Sequence, residues 1–394
     1  MQIEQIISNE KLRQELFPIC TERVFLAHAG VTALPQCSAE AMKAFSYEGS
    51  LQQQEHAGVW KDMFHTRQEA ATLLSAEESE IALLGPTALG LNLVANGLKW
   101  QKGDEVIYYG DCYPADVYPW IKLRSHGVEV VPLELTRAGV IRWEHIEEKL
   151  TERTRLVSLA SANFLSGYRI NLEEIGSEIK KHNPQTLFCV DGIQTLGAFK
   201  TTVEHIDFLS ADSHKWLLGP LGAGVFYVKK SLFNILEPTL LGSWNVVSPQ
   251  FIAQDRIDYY EGARRYEPGS LNLVGNVGML AGIRFLLELG VENISKRIRD
   301  LGAFTTVQML DLGYQRYVDF DPVEENGHQA TCGIYTFQHP SLNMEETFQK
   351  LKDQNIDISL RYNRSGQALF RISPHFYNTE EEISRFIEVL KKII

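Results

Sequence analysis

Between about residues 79 and 229, short apolar runs alternate with longer stretches whose apolar positions recur at helical spacing. The apolar runs predict strands at 80–84, 105–109, 129–133, 155–160, 186–190, 208–210 and 224–228. The stretches between them predict helices at 87–98, 115–126, 143–149 and 172–181. Several of these strands are apolar at every position rather than at alternate ones, which is the pattern of a strand covered on both faces. Such strands alternating with helices predict an α/β sheet with helices on both sides. After about residue 265 the pattern changes to a long helix at 275–289 and then mixed helix and strand, ending in a helical stretch at 379–394. The chain therefore divides into a large domain over 21–264 and a smaller one assembled from 1–20 and 265–394.

The length of 394 residues is that of a two-domain protein. A hydrophobic fraction of 44% with 22% charged residues is ordinary for a globular chain. The net charge of −12 argues against broad binding to nucleic acid or anionic membranes. The five cysteines, Cys20, Cys37, Cys112, Cys189 and Cys332, show no CxxC or zinc-ligand spacing. Scattered and odd in number, they fit reduced thiols, so a cytoplasmic location is expected. No metal site is expected. The first residues lack the apolar core of a signal peptide, and no apolar run approaches the roughly 18 residues of a membrane span.

In a sheet of this kind ligands bind beyond the carboxyl ends of the strands, so the residues after each strand carry the chemistry. After the run at 80–84 come Gly85, Pro86, Thr87 and Ala88, which open a helix. Free N–H groups and a hydroxyl at a helix N-terminus suit a phosphate, though Gly-Pro-Thr is equally a good helix start. Tyr113 follows the next strand and can stack on a planar ring or simply pack. Asn163 can donate to a ring hydroxyl or form a turn. Asp191 ends the 186–190 run. A carboxylate there is costly without a cation, and a protonated heteroaromatic nitrogen would supply one; an N-cap is the structural alternative. The 208–210 strand then delivers His214 and Lys215. A lysine at the mouth of a buried strand loses solvation, its pKa falls, and its neutral amine becomes available for Schiff-base chemistry. A phosphate site, a ring stacker, an amide, an acid and an amine on five strand ends are the contacts that pyridoxal 5′-phosphate (PLP) requires.

Three segments carry a resemblance to a known family: 190–194 (Val-Asp-Gly-Ile-Gln), 211–216 (Ala-Asp-Ser-His-Lys-Trp) and 371–379 (Arg-Ile-Ser-Pro-His-Phe-Tyr-Asn-Thr). From about Phe25 to the C-terminus the chain resembles the class V aminotransferase group of fold-type I PLP enzymes. That group includes cysteine desulfurases, selenocysteine lyases, isopenicillin-N-epimerase-like proteins and kynureninase. The resemblance implies a large domain with a mostly parallel seven-stranded sheet plus a smaller α+β domain. It implies that Lys215 is the Schiff-base lysine and the proton shuttle at Cα, and that Asp191 keeps the pyridine nitrogen protonated. Gln194 and Asn163 would lie near the ring hydroxyl, and Tyr113 would take the stacking position. Thr87, the Ala88 backbone, Asp212 and His214 would cradle the phosphate. Asp212 departs from the desulfurase pattern, where a serine stands, and an anion there is unfavourable beside a phosphate; holding His214 protonated is its alternative role. Ser270, in the segment 267–272, would reach a neighbouring subunit's phosphate, which implies a homodimer with shared active sites. Arg371 would fork onto the substrate α-carboxylate, with Arg361 and His28 as further candidates at the substrate.

Persulfide-forming desulfurases of this group carry a nucleophilic cysteine in the loop ahead of the carboxylate-binding arginine. The corresponding loop here, 358–367, has none, and Cys332 falls in what reads as a buried strand. The expected activity is therefore C–S or C–Se lyase-type chemistry on an L-α-amino acid without a persulfide cysteine. The alternatives are transamination to a keto acid, which needs the same Lys215, epimerisation, with His28 or Tyr362 as the second acid, and PLP binding without turnover.

Overall fold

The structure is a computed structural model describing residues 1–324 and 326–393. Its centre is a seven-stranded sheet in the order Ile81–Leu83, Gly224–Val228, Phe208–Asp212, Leu187–Asp191, Thr154–Ala160, Glu105–Tyr109, Glu129–Leu133. All neighbours pair in parallel except Gly224–Val228, which is antiparallel to both strands beside it. The all-apolar runs are the interior strands: every residue of Leu187–Asp191 and Phe208–Asp212 is buried. One apolar cluster, including Val157, Phe188 and Val190, fills one face of the sheet; another, including Leu156, Cys189 and Trp120, fills the other. Successive side chains of a strand point to opposite faces, which explains why Leu156 and Val157 fall into different clusters.

Helix Leu172–His182 shows how locally its ends are set. Asn171 caps it by accepting the Glu174 N–H, glutamates occupy the first turn, and Lys180, Lys181 and His182 occupy the last. The predicted helix at 115–126 is instead broken into the 3₁₀ turn Pro114–Asp116, the short helix Tyr118–Lys122 and the 3₁₀ turn Leu123–His126. Pro119 lies where a continuous helix would need its N–H, and its ring crowds the preceding turn. Two helices that the strand–helix alternation does not reveal, Gln36–Leu51 and Ala57–Leu74, precede the sheet and pack against Leu273–Leu289.

The C-terminal part carries a four-stranded antiparallel sheet in the order Ser359–Tyr362, Ala368–Ile372, Tyr335–Gln338, Gln315–Arg316. A third apolar cluster, including Leu301, Phe370 and Phe386, lies beneath it. The chain start is tied in here as well: Val24–Phe25 pairs in parallel with Ile356–Asp357, and Ala27 bridges to Ser373. That pairing brings the segment 27–31 against the end of Ala368–Ile372 and gives the central cavity its second wall. Among the described residues, no single helix is long and apolar enough to cross a membrane.

Candidate active site

The strand ends of the seven-stranded sheet open into a cavity of about 440 Å³. Thr87, Ala88, Cys112, Tyr113, Asp116, Asp191, Gln194, His214, Lys215, Arg361 and Arg371 line it. They come in small groups from the ends of several strands, from one helix start and from two strands of the C-terminal sheet. Helix Thr87–Gly97 points its first turn at the cavity, leaving N–H groups that have no partner inside the helix. This helix lies close enough to the sheet that a Cβ on Gly90 would stand 2.4 Å from Ser210 Oγ, so only glycine fits there.

Lys215 is 9% exposed. Burial pushes its ammonium pKa down to about 8, with Asp191 opposing the shift and Arg371 adding to it. Its Nζ stands 5.7 Å from the centroid of the Tyr113 ring, and that ring is in edge contact with Phe164 at 5.6 Å. Asp191 is buried at the end of its strand, where Oδ1 accepts the Ile193 N–H at 2.8 Å. Gln194 is fixed from both ends: Oε1 accepts the Trp216 indole N–H at 3.1 Å, and Nε2 donates to Ala29 O at 3.3 Å.

Arg371 is 2% exposed. It donates from Nη1 to Phe164 O at 2.9 Å and reaches Ser359 Oγ from Nη2 at 3.4 Å, while its buried Nε has no acceptor among the described residues. Burial first, and then the neighbouring Arg361 guanidinium, oppose its charge. A Cβ placed on Gly30 would lie 3.4 Å from Arg361 Nη2 and 3.5 Å from Arg371 Nη2, so the two guanidinium groups converge on one corner. Two guanidinium groups with no carboxylate partner among the described residues, at the edge of a cavity, suit an anion.

Four predicted residues stand elsewhere. Asn163 does not line the cavity: its Oδ1 accepts the N–H groups of Leu165 and Ser166, the turn-forming alternative. Asp212 is also outside the lining. Its Oδ1 accepts the Ser213 N–H, its Oδ2 accepts the Gly222 N–H, and its Oδ2 stands 3.2 Å from His214 Nδ1. That last contact is too poorly aligned for a hydrogen bond. The acid thus holds the turn and faces the histidine, not the space where an anion would sit. His28 is fully buried below the cavity floor, with Nδ1 donating to Ser373 O at 2.9 Å and Nε2 accepting the Tyr377 hydroxyl at 2.7 Å. Burial drops its pKa to about 4, so it is neutral and has no free nitrogen. Ser270 lies in a separate cleft with Gly85, Gly222 and Asn272. Two titratable cavity residues lay outside the expected site set. Cys112 follows the Glu105–Tyr109 strand closely enough for the sequence to place it near the cofactor, whereas no motif or spacing marked Asp116.

The fold, a strand-end lysine facing a strand-end acid and a helix N-terminus at the same mouth define a PLP-dependent α/β enzyme. Residues 24–386 match the family described as aminotransferase class-V, and the chain belongs to that family. A probable cysteine desulfurase of Methanothermobacter thermautotrophicus is 27% identical over 406 residues, covering 98% of each chain. A second, of Pyrococcus abyssi, is 26% identical over 407 residues, covering 98% of this chain and 97% of its own. Among solved structures, the apo cysteine desulfurase of Thermococcus onnurineus superimposes with a TM-score of 0.87 at 24% identity, covering 98% of both chains. The cystine C–S lyase C-DES in complex with cysteine persulfide superimposes with a TM-score of 0.85 at 20% identity, covering 95% of this chain and 98% of that one. At those identities the superpositions establish the fold. The sequence relatives make the chain a cysteine desulfurase-like member of the family.

Proposed function

We propose that this protein binds PLP in the strand-end cavity and cleaves a C–S or C–Se bond of an L-α-amino acid, without a persulfide-carrying cysteine. The observation that carries the reading is the state of the thiols near the cavity. Loop 358–367 contains none, and Cys332 is fully buried, with its thiol pushed up to about 12 by desolvation. Cys112 lines the cavity, but desolvation and the acid beside it raise its thiol well above the ordinary range. A nucleophile must be a thiolate to take up sulfur.

The residues fit the cofactor. Asp191 is a buried acid with no cation paired to it among the described residues, which suits a protonated ring nitrogen. The N-terminus of Thr87–Gly97, with His214 beside it, suits the phosphate, and Tyr113 offers a face to the ring. When bound, PLP supplies an electron sink for the pair left at Cα. Lys215 holds an amine that is neutral above about pH 8 and accepts the Cα proton. Arg371 receives the α-carboxylate and fixes which bond faces Lys215. The sulfur leaves with the C–S electron pair.

Ser270 and its cleft complete the site of a second copy in this reading, which makes the protein a homodimer. Arg67 and Glu267 support that segment: Glu267 Oε2 accepts Arg67 Nη2 at 2.6 Å, and Oε1 accepts the Leu83 N–H at 2.7 Å. Exposed apolar side chains, among them Leu221, Phe251 and Ile252, offer the surface to be covered. Residues 21–264 then form the cofactor-bearing domain, with 1–20 and 265–394 supplying Arg361 and Arg371 from the smaller one. Sedimentation tests the dimer directly.

The chemistry is tested by following the visible spectrum of the PLP-loaded protein while amino acids, L-cysteine included, are added. The expected result is a visible band that returns while sulfide, pyruvate and ammonium accumulate in equal amounts. Lasting bleaching that only a keto acid restores would make the protein a transaminase and overturn the lyase reading.

A further inference from the structure

Asp116 stands in the 3₁₀ turn Pro114–Asp116 and is 4% exposed, yet it lines the cavity with Asp191 and Lys215. Its Oδ2 accepts the Cys112 thiol at 3.4 Å. Its Oδ1 is shut off from solvent and meets no donor among the described residues. The Asp116 and Asp191 carboxyl groups lie within hydrogen-bonding reach of each other.

Two carboxylates in contact, both out of water, do not both ionise; one must carry a proton. The neighbours decide which. Asp191 has the Ile193 N–H on Oδ1 and feels the positive charge of Lys215. Asp116 has the weak thiol donor of Cys112 and a smaller share of the Lys215 field. The titratable groups facing Asp116 are therefore Asp191 from its strand, Cys112 from the same turn and Lys215 from the loop after Phe208–Asp212. Only Lys215 is cationic. Charge settles on Asp191 and the proton on Asp116, whose unpartnered Oδ1 is the oxygen left free to donate.

We propose that Asp116 is a positioning residue that works as a neutral acid: it donates its Oδ1–H to Asp191 and orients that carboxylate toward the cavity. The inference rests on the PLP reading for its consequence, since an oriented Asp191 is what a ring nitrogen would meet. The proton itself belongs to the protein alone. Without Asp116, Asp191 would lose its second hydrogen bond and face a poorly solvated gap.

Infrared difference spectroscopy of wild type against Asp116→Asn tests it at neutral pH, on protein without cofactor and on the PLP-loaded protein. A carbonyl stretch of a protonated carboxylic acid is expected in wild type and missing in the variant. Carbon-13 labelling of the aspartate side chains should shift the same band in unmodified protein, which covers the case of a variant that folds poorly. No such band, or a band that survives in Asp116→Asn, overturns the proposal. PLP affinity, read by fluorescence quenching, gives a second readout. Asparagine keeps a donor at this position, so Asp116→Asn should stay within about threefold of wild type, whereas Asp116→Ala should bind about tenfold more weakly. Equal weakening in both would mean that a charged Asp116 was needed, which also overturns it. Failure of the PLP reading would show instead as no quenching in wild type, with the infrared band still present.

Discussion

Asp212 and Asp191 end neighbouring strands, both are buried, and each accepts a backbone N–H, yet they serve opposite ends. Both oxygens of Asp212 are taken by the N–H groups of Ser213 and Gly222, and His214 stands 3.2 Å away. Asp191 has one backbone N–H and otherwise faces a cavity and a second acid. The same contrast separates two buried arginines. Arg67 forks onto Glu267 with both partners dry, whereas Arg371 keeps a buried Nε without an acceptor and faces another guanidinium. A buried charge whose hydrogen bonds are filled by its own fold holds backbone in place. One left partly open keeps capacity for a ligand, at a cost in stability that the surrounding packing absorbs.

Substitutions on the two sides should therefore fail differently. The largest effect is expected at Lys215: Lys215→Ala should abolish the visible band that PLP acquires on bonding to the protein, while thermal unfolding stays close to wild type. A persisting band would place the bond on another lysine. On the filled side, Arg67→Ala leaves Glu267 buried without its ion partner. The expected loss is about 3–5 kcal/mol of stability by urea unfolding, and a loss below about 1 kcal/mol would remove this pair from the framework class. On the open side, Arg371→Ala should leave the unfolding curve nearly unchanged and raise KM for α-amino acids by the equivalent of about 1.5–3 kcal/mol. An unchanged KM would pass the carboxylate to another group, with Arg361 the first to try.

The smallest effect is graded with pH. Capture of PLP needs the neutral Lys215 amine, and burial puts its pKa at about 8. Below that value the ammonium form dominates. The capture rate in stopped-flow absorbance should thus fall about tenfold per pH unit going down and level off above pH 8. A midpoint near the ordinary lysine value would mean that the cavity admits far more water than its lining implies.

The sheet was legible because its strands are apolar throughout and end in polar residues, a pattern that burial and the strand-end rule make hard to read in another way. Lys215, Asp191, Gln194, Thr87 and Tyr113 come together for that reason. Helix 115–126 was misread because its apolar spacing said helix while Pro119 forbids one. Asn163 and Asp212 were misplaced because Asn and Asp serve turns and ligands with the same atoms. Which use applies depends on where the nearest N–H groups fall, and at both residues they fall within the local turn.

The sequence by itself determined the α/β architecture, the strand ends and the amine and acid they present. Those depend on burial pattern and residue type within a few positions of one another. Only the tertiary structure decided what closes the cavity. The parallel pairing of Val24–Phe25 with Ile356–Asp357 brings Gly30 to Arg361 and Arg371, and the broken helix sets Asp116 against Asp191. It also sank His28 between Ser373 and Tyr377. These are contacts between residues far apart in the chain, created when separate apolar faces pack together, and no local pattern encodes the distance between two such residues.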